Sequence, residues 1–179
     1  MRSMRLLLLL ALGPLAAAAA AQRDAPCRDR ETTESIVVIN AKDEPGERLV
    51  LAGRVVVGEA QEPAYGARVV VYHTDARGYY SEDGMDEGSA RLCGVVVADV
   101  FGRFRIETIR PAHYATGGPP AHVHFEVTVP GRPMQHFELQ FEGDPKLEGR
   151  TGPQRWDTIR PVRDDPRGFL RVERDLWVR

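Results

Sequence analysis

His122-Val123-His124-Phe125-Glu126-Val127-Thr128-Val129, then Pro130-Gly131-Arg132-Pro133, then Gln135-His136-Phe137-Glu138-Leu139-Gln140-Phe141 is the stretch that decides the fold. Side chains alternate faces along an extended strand. Val123, Phe125 and Val127 therefore share one face, and His122, His124 and Glu126 share the other. In the second run, Phe137, Leu139 and Phe141 form the apolar face and His136, Glu138 and Gln140 the polar one. A central Pro-Gly pair favours a type II turn, so the two runs predict an antiparallel hairpin. Its polar face is either a solvated sheet surface or the wall of a site.

Similar runs lie upstream. Leu49 to Val57, Ala67 to His73, Val95 to Ala98 and Arg103 to Ile109 are rich in Val, Leu and Ile, and turn-forming residues separate them. The Val-rich run up to His73 suits a strand buried on both faces. Glu59 to Tyr65 is a polar turn region, and Gly168 to Val178 predicts one final strand. No long segment after the first 21 residues has helical periodicity. The expectation is an all-β fold, a sandwich or barrel of short antiparallel strands with long loops.

The chain of 179 residues has room for one domain with a proper core. Residues 1–21 combine a basic start, the apolar run Leu6 to Leu12 and an alanine-rich end, the pattern of a secretory signal peptide. The apolar run is short for a membrane anchor, and Asp24-Ala25-Pro26 is a poor lead-in to lipidation of Cys27. The expected product is secreted or periplasmic, with no membrane attachment after signal cleavage. Residues 22–48 are predicted as an N-terminal arm, 49–179 as the β-domain and 143–167 as a long surface loop.

Without its first 21 residues the chain carries 22 basic against 26 acidic residues, a formal charge of −4. It has no basic block or aromatic-basic stripe, which argues against nucleic acid as a partner. Cys27 and Cys93 are the two cysteines. A bridge and two separate thiols both fit an oxidising compartment, whereas a cysteine–histidine zinc site is disfavoured because neither has a second cysteine nearby. Self-association as a homo-oligomer stays open.

His122 and His124 point the same way and can share one ion. Adding the phenols of Tyr114 and Tyr80 would give an anionic, hard-leaning shell that suits ferric iron better than zinc. Taken singly, each tyrosine also fits a packing role with its hydroxyl on a carbonyl. A ferrous site of two histidines and one carboxylate, Glu126 or Glu138, is the competing metal arrangement.

Order and spacing carry more. Tyr72-His73-Thr74-Asp75-Ala76-Arg77-Gly78-Tyr79-Tyr80-Ser81 resembles the segment bearing the first iron tyrosine of intradiol ring-cleavage dioxygenases, the catechol- and protocatechuate-cleaving family. Asp99-Val100-Phe101-Gly102, Thr108-Ile109-Arg110-Pro111-Ala112-His113-Tyr114, Pro120-Ala121-His122-Val123-His124 and Gly143-Asp144-Pro145 resemble its later motifs, in order. The resemblance implies an immunoglobulin-like, transthyretin-related β-sandwich and Fe(3+) held by Tyr80, Tyr114, His122 and His124. The small size resembles the exported branch of the family. The implied reaction consumes dioxygen and a small aromatic diol, cleaving between the hydroxylated carbons to a muconate-type diacid. Tyr114 would leave the metal and act as general base.

Three positions depart from the family pattern. Pro119 stands three residues before His122, where an arginine is usual; Glu138 replaces a glutamine; His113 replaces a small residue before Tyr114. Glu138 becomes a candidate catalytic neighbour, and Arg110 and Arg132 are the candidate replacements for the guanidinium. These departures also keep a non-enzymatic reading, a secreted β-sandwich that binds iron or a catechol-bearing ligand.

Overall fold

A computed structural model describes residues 27–40, 42–82, 84–148 and 157–179; the expected signal peptide lies outside them. Eleven strands form two sheets among the described residues. They are β1 (Ile36–Val38), β2 (Arg48–Val57), β3 (Glu62–Pro63), β4 (Arg68–His73), β5 (Leu92–Val97), β6 (Arg103–Ile109), β7 (His122–Thr128), β8 (Gln135–Phe141), β9 (Asp157–Ile159), β10 (Leu170–Glu173) and β11 (Leu176–Val178). The first sheet runs β1-β6-β2-β10, with β3 and β11 also on β2; the second runs β5-β4-β7-β8-β9. The fold is an all-β sandwich. No helix among the described residues is long and apolar enough to cross a membrane.

The predicted hairpin is present. Arg132 N donates to Val129 O at 3.0 Å, and Gly131 at the third turn position has φ +78°, as a type II turn requires. The register sets His122 opposite Gln140, His124 opposite Glu138 and Glu126 opposite His136. Val123, Phe125, Val127, Leu139 and Phe141 all enter the core between the sheets, against Leu49, Leu51, Val55, Phe104 and Ile106.

β4 is buried on both faces. Val69 and Val71 join that core, whereas Val70 and Tyr72 pack on the outer side with Tyr80, Ala90, Cys93 and Val95. Loops and the N-terminal arm thus roof the outer face of the second sheet, and the polar side of β7 lies beneath that roof.

The expected arm is pinned to the sandwich. β1 pairs in parallel with β6, and Val97 N of the edge strand β5 donates to Glu34 O at 2.8 Å, so the arm closes the gap between the sheets. Cys27 and Cys93 are disulfide-bonded across a sequence separation of 66. A loop of that size contributes about 4 kcal/mol in the chain-entropy model. Arg28 then reaches Glu126, 2 % exposed on β7, with Nη2 at 2.7 Å from Oε2.

Two expectations need correction. The run 168–178 is two strands, both parallel to β2. It breaks because Asp175 Oδ1 accepts from Arg54 N at 2.9 Å, a side chain replacing a ladder carbonyl. The predicted loop 143–167 contains β9, which pairs in parallel with β8 at the sheet edge; parallel pairing depends on distant partners and leaves no local turn signal.

His73 ties the two sheets together. Its Nδ1 lies 2.7 Å from the Thr74 carbonyl, which can only accept, so Nδ1 carries the proton and Nε2 accepts from the Thr108 hydroxyl at 2.7 Å. Complete burial pushes its pKa down to about 4. The unfolded ring titrates near ~6.5, so between these values only the unfolded chain binds the proton. Stability from this residue is therefore full above ~6.5 and lost as pH falls toward 4, by up to about 3 kcal/mol. Denaturant unfolding at pH 7 and 4.5 should show this loss in the intact chain and not in His73→Gln. An assigned His73 resonance titrating near neutrality would contradict it.

Candidate metal centre

β7 carries both histidines and has a neighbour on each side, β4 and β8, which fixes their direction. Tyr72 of β4 stands opposite His124 and stacks on its ring, centroids 4.6 Å apart at 14°.

The two tyrosines come from loops that are sewn to each other. Asp75 is the knot: its Oδ1 accepts from Arg77 N at 2.8 Å and Tyr79 N at 3.1 Å, and its backbone carbonyl accepts from Gly78 N and Ala112 N, each at 3.1 Å. Burial works against that carboxylate, but the N–H bonds from Tyr79 and Arg77 and the Arg77 guanidinium hold it below its usual range. Thr74 Oγ1 donates to Ala112 O at 2.9 Å, and Ala115 N donates to Gly78 O at 3.3 Å. Gly78 has φ +88°, and a Cβ there would lie 2.1 Å from His113 O. Only glycine lets the loops approach this closely.

Four donor atoms converge under the roof. Tyr80 Oη is 2.7 Å from Tyr114 Oη and 2.8 Å from His124 Nε2; Tyr114 Oη is 3.4 Å from His122 Nε2; the two Nε2 atoms are 3.0 Å apart. Tyr80, not Tyr79, turns inward and is 2 % exposed; His122 is 5 % exposed. His122 Nδ1 donates to Pro120 O at 2.7 Å, and His124 Nδ1 faces Glu138 Oε1 at 3.4 Å. An acceptor at each Nδ1 turns both Nε2 lone pairs toward the same space, the arrangement that orients metal-binding imidazoles.

The donor set fits a cation. Two imidazole lone pairs 3.0 Å apart repel each other unless positive charge lies between them. Bonds of about 2.0–2.2 Å to one ion leave neighbouring donors roughly 3 Å apart, the spacing found. Burial, with the Tyr114 hydrogen bond second, drives the Tyr80 phenol far above its normal range; burial also lifts Tyr114, to about 12. Burial and then neighbouring His124 push His122 down, keeping it neutral. Ionised phenols here need a strong adjacent cation.

The remaining predicted residues sit outside this quartet. Glu138 meets His124 at Nδ1, the ring nitrogen away from the other three donors. His122, His124 and Glu138 offer ligand atoms within 4.8 Å of one another, so the competing two-histidine, one-carboxylate set is also assembled. Glu126 is engaged with Arg28. Arg110 lies over Phe141, 5.6 Å from its centroid, and Phe141 points into the core on the other side of the sheet from His122. Arg132 sits in the exposed turn after β7, about 20 Å along the strand from His122 at 3.3 Å per residue. Arg132 is therefore too distant to replace the expected guanidinium beside the cluster.

Two further groups lie at or beside the cluster. Glu87, in a 3₁₀ turn spanning Glu87–Ser89, accepts a long hydrogen bond from Tyr114 Oη at 3.4 Å. Gln140, opposite His122 and 1 % exposed, has an Oε1 with no hydrogen-bond partner among the described residues. Strand alternation placed Gln140 on the polar face of β8, whereas sequence reasoning missed Glu87, which no local signal marks. A surface groove of about 1230 Å³ lined by Phe137, Arg174, Asp175 and Trp177 includes none of the four donors.

Sandwich and cluster together define a class. Residues 26–151 match a protein-family model described as Dioxygenase. The chain is 28 % identical over 151 residues to catechol 1,2-dioxygenase 2 of Acinetobacter lwoffii, covering 75 % of this chain and 51 % of that protein. It is 30 % identical over 125 residues to the protocatechuate 3,4-dioxygenase beta chain of Burkholderia cepacia, covering 56 % and 52 %. It thus spans about half the length of these curated relatives. The fold is shared with the dioxygenase domain of a dioxygenase carbohydrate-binding fusion from Streptomyces sp. SirexAA-E, at TM-score 0.65 and 22 % identity over 87 % of this chain and 89 % of that one. It is shared also with catechol 1,2-dioxygenase of Pseudomonas arvilla C-1, at TM-score 0.67 and 24 % identity over 92 % and 59 %.

The chain belongs to the intradiol ring-cleavage dioxygenase family.

Proposed function

We propose that this protein is an exported iron(III) dioxygenase that cleaves a catechol-type diol between its hydroxylated carbons, giving a muconate-type diacid. The observation that carries this reading is the convergence of Tyr80, Tyr114, His122 and His124, successive donors 2.7–3.4 Å apart, with both Nδ1 atoms engaged elsewhere. These four residues would hold the ion. Ferric iron, when bound, supplies Lewis-acid activation and orientation of the diol.

The chain's own groups divide the remaining work. Tyr80 is the deeply buried phenol and serves as the fixed donor; Tyr114, half-buried, is the one suited to swing free and take a substrate hydroxyl proton at its Oη. Glu138 fixes the His124 ring by facing Nδ1, and Tyr72 holds its plane by stacking. The roof over β7 limits water around the cluster. Export is supported by the leader-like residues 1–21 and by the Cys27–Cys93 bridge, which suits an oxidising compartment.

Ferric-loaded protein should be wine-red through phenolate charge transfer. It should consume oxygen and release a diacid with at least one of catechol, protocatechuate or hydroxyquinol. A colourless iron-loaded protein would retire the ligand assignment. Pro119 and Glu138 favour a second reading, an iron- or catechol-binding module without turnover; red protein with no oxygen uptake on any diol would select it.

A further inference from the structure

We propose that Arg91 is a positioning residue for the iron site, clamping the loop that carries Tyr80 to its neighbouring loops and so setting the gap between the two phenol donors. The inference rests on the ligand set proposed above and adds the residue that holds its loop-borne half in place.

Arg91 is the last residue before β5, and its backbone closes the loop 80–91. Its N–H donates to Tyr80 O at 2.7 Å, and Tyr80 N donates to Gly84 O at 2.9 Å. Tyr80 is thus tied directly to position 91. The β4–β5 ladder begins only at Leu92, opposite His73, and does not reach that position. The Arg91 side chain supplies the anchor instead.

Its guanidinium meets carboxylates on two other loops. Nη2 donates to Glu44 Oε1 at 2.8 Å, Nη1 donates to Glu44 Oε2, and Nη2 lies 3.6 Å from Asp75 Oδ2. A two-pronged contact of this kind fixes angle as well as distance. The Glu44 loop is itself held firmly. Glu47 O accepts from Arg110 N at 2.7 Å, and a Cβ on Gly46 would lie 3.2 Å from that of Ala76. Asp75 in turn carries the Tyr79 and Ala112 N–H bonds, one toward each phenol.

The two carboxylates depend on Arg91 unequally. Asp75 also has Arg77, whose Nε lies 3.1 Å from Oδ2. Glu44, with its side chain 5 % exposed, pairs with Arg91 alone among the described residues. Without the guanidinium, Glu44 becomes a buried charge with no counter-ion, and it repels Asp75, which meets the same Nη2. The loops of Glu44, Asp75 and Tyr80 then part, and the 2.7 Å gap between the two phenol oxygens opens.

The test is ferric titration of the purified chain, read by the visible band and by iron content, with thermal unfolding alongside. Arg91→Met keeps the stem and removes the charge. It should bind iron at least about tenfold more weakly, with a weakened and displaced band. Arg91→Lys restores the charge without the planar fork and should recover part of both losses. Glu44→Gln should weaken iron binding several-fold, and it carries the test if Arg91→Met does not fold. Arg54→Met is the control. It breaks the ion pair with Asp175 six residues further along β2 than Arg48, about 20 Å away. It should lower the unfolding temperature and leave iron affinity and band unchanged. An unmoved band and affinity in Arg91→Met, or in Glu44→Gln where that variant does not fold, would overturn the proposal. So would a lysine variant no better than methionine, or equal iron loss in Arg54→Met. Each of these leaves the ligand set standing, because the unaltered chain is red. A colourless unaltered chain overturns the ligand set and this inference together.

Discussion

His122→Ala is expected to abolish ferric binding and the visible band, and to lower any ring cleavage by at least about a thousandfold. Loss of a partner behind a metal ligand typically costs 10–100-fold in affinity or activity, and removing the ligand itself costs more. His122 is the buried member whose Nδ1 is locked on Pro120 O at 2.7 Å, so no rotamer of a neighbour can replace its Nε2. The metal-free protein should respond differently. Alanine removes one of two facing lone pairs, which offsets part of the packing lost. Iron should therefore raise the unfolding temperature of the unaltered chain and leave that of His122→Ala unmoved, because only a ligand bound to the folded state stabilises it. Tyr114→Phe should weaken and shift the band while Tyr80 still ligates. Full colour retained in both variants would falsify the quartet.

Gly78→Ala should be nearly as damaging, although residue 78 touches no donor atom. The added Cβ would lie 2.1 Å from His113 O and 2.7 Å from Ala115 N, both backbone atoms that cannot turn aside, at φ +88°. Those atoms flank Tyr114, and residue 78 is two positions before Tyr80, so relieving the clash parts the two phenols. A loss of roughly 3 kcal/mol or more is expected, together with sub-stoichiometric iron. Gly58→Ala is the comparison: φ is +68°, but nothing lies within 4 Å of the added Cβ. It should cost only about 1 kcal/mol, the backbone contribution alone, and keep full iron content. Equal behaviour of the two variants would mean that the loop contact does not set the tyrosine spacing.

The legible parts of this molecule are those with local causes. The β7–β8 hairpin could be read because alternation and Pro130-Gly131 act over neighbouring residues, and its register follows from them. The doubly buried β4 could be read from its unbroken valines. The parallel strands β1, β9, β10 and β11 could not be read as such, since their partners lie far away in the sequence. In the site, His122 and His124 followed from strand geometry, whereas Tyr80 and Tyr114 needed the family resemblance, because loops place them. Arg110 and Arg132 were reasonable candidates by composition, and distance along β7 excludes Arg132. Glu87 was invisible for the same reason the tyrosines were hard: a turn held by remote contacts decides where it points.

The anchored arm has a consequence for the smallest workable form of this protein. Glu126 lies two residues past His124 on the same face of β7, and its counter-charge comes from Arg28, next to the bridged Cys27. Beginning the polypeptide at residue 49, the apparent edge of the sandwich, would strand a carboxylate that is 2 % exposed, with His136 3.9 Å away as its remaining neighbour. Orphaning such a charge costs on the order of 3 kcal/mol, and the bridge's contribution would vanish with it. What looks like a dispensable N-terminal arm is a keystone set directly over the imidazole-bearing strand.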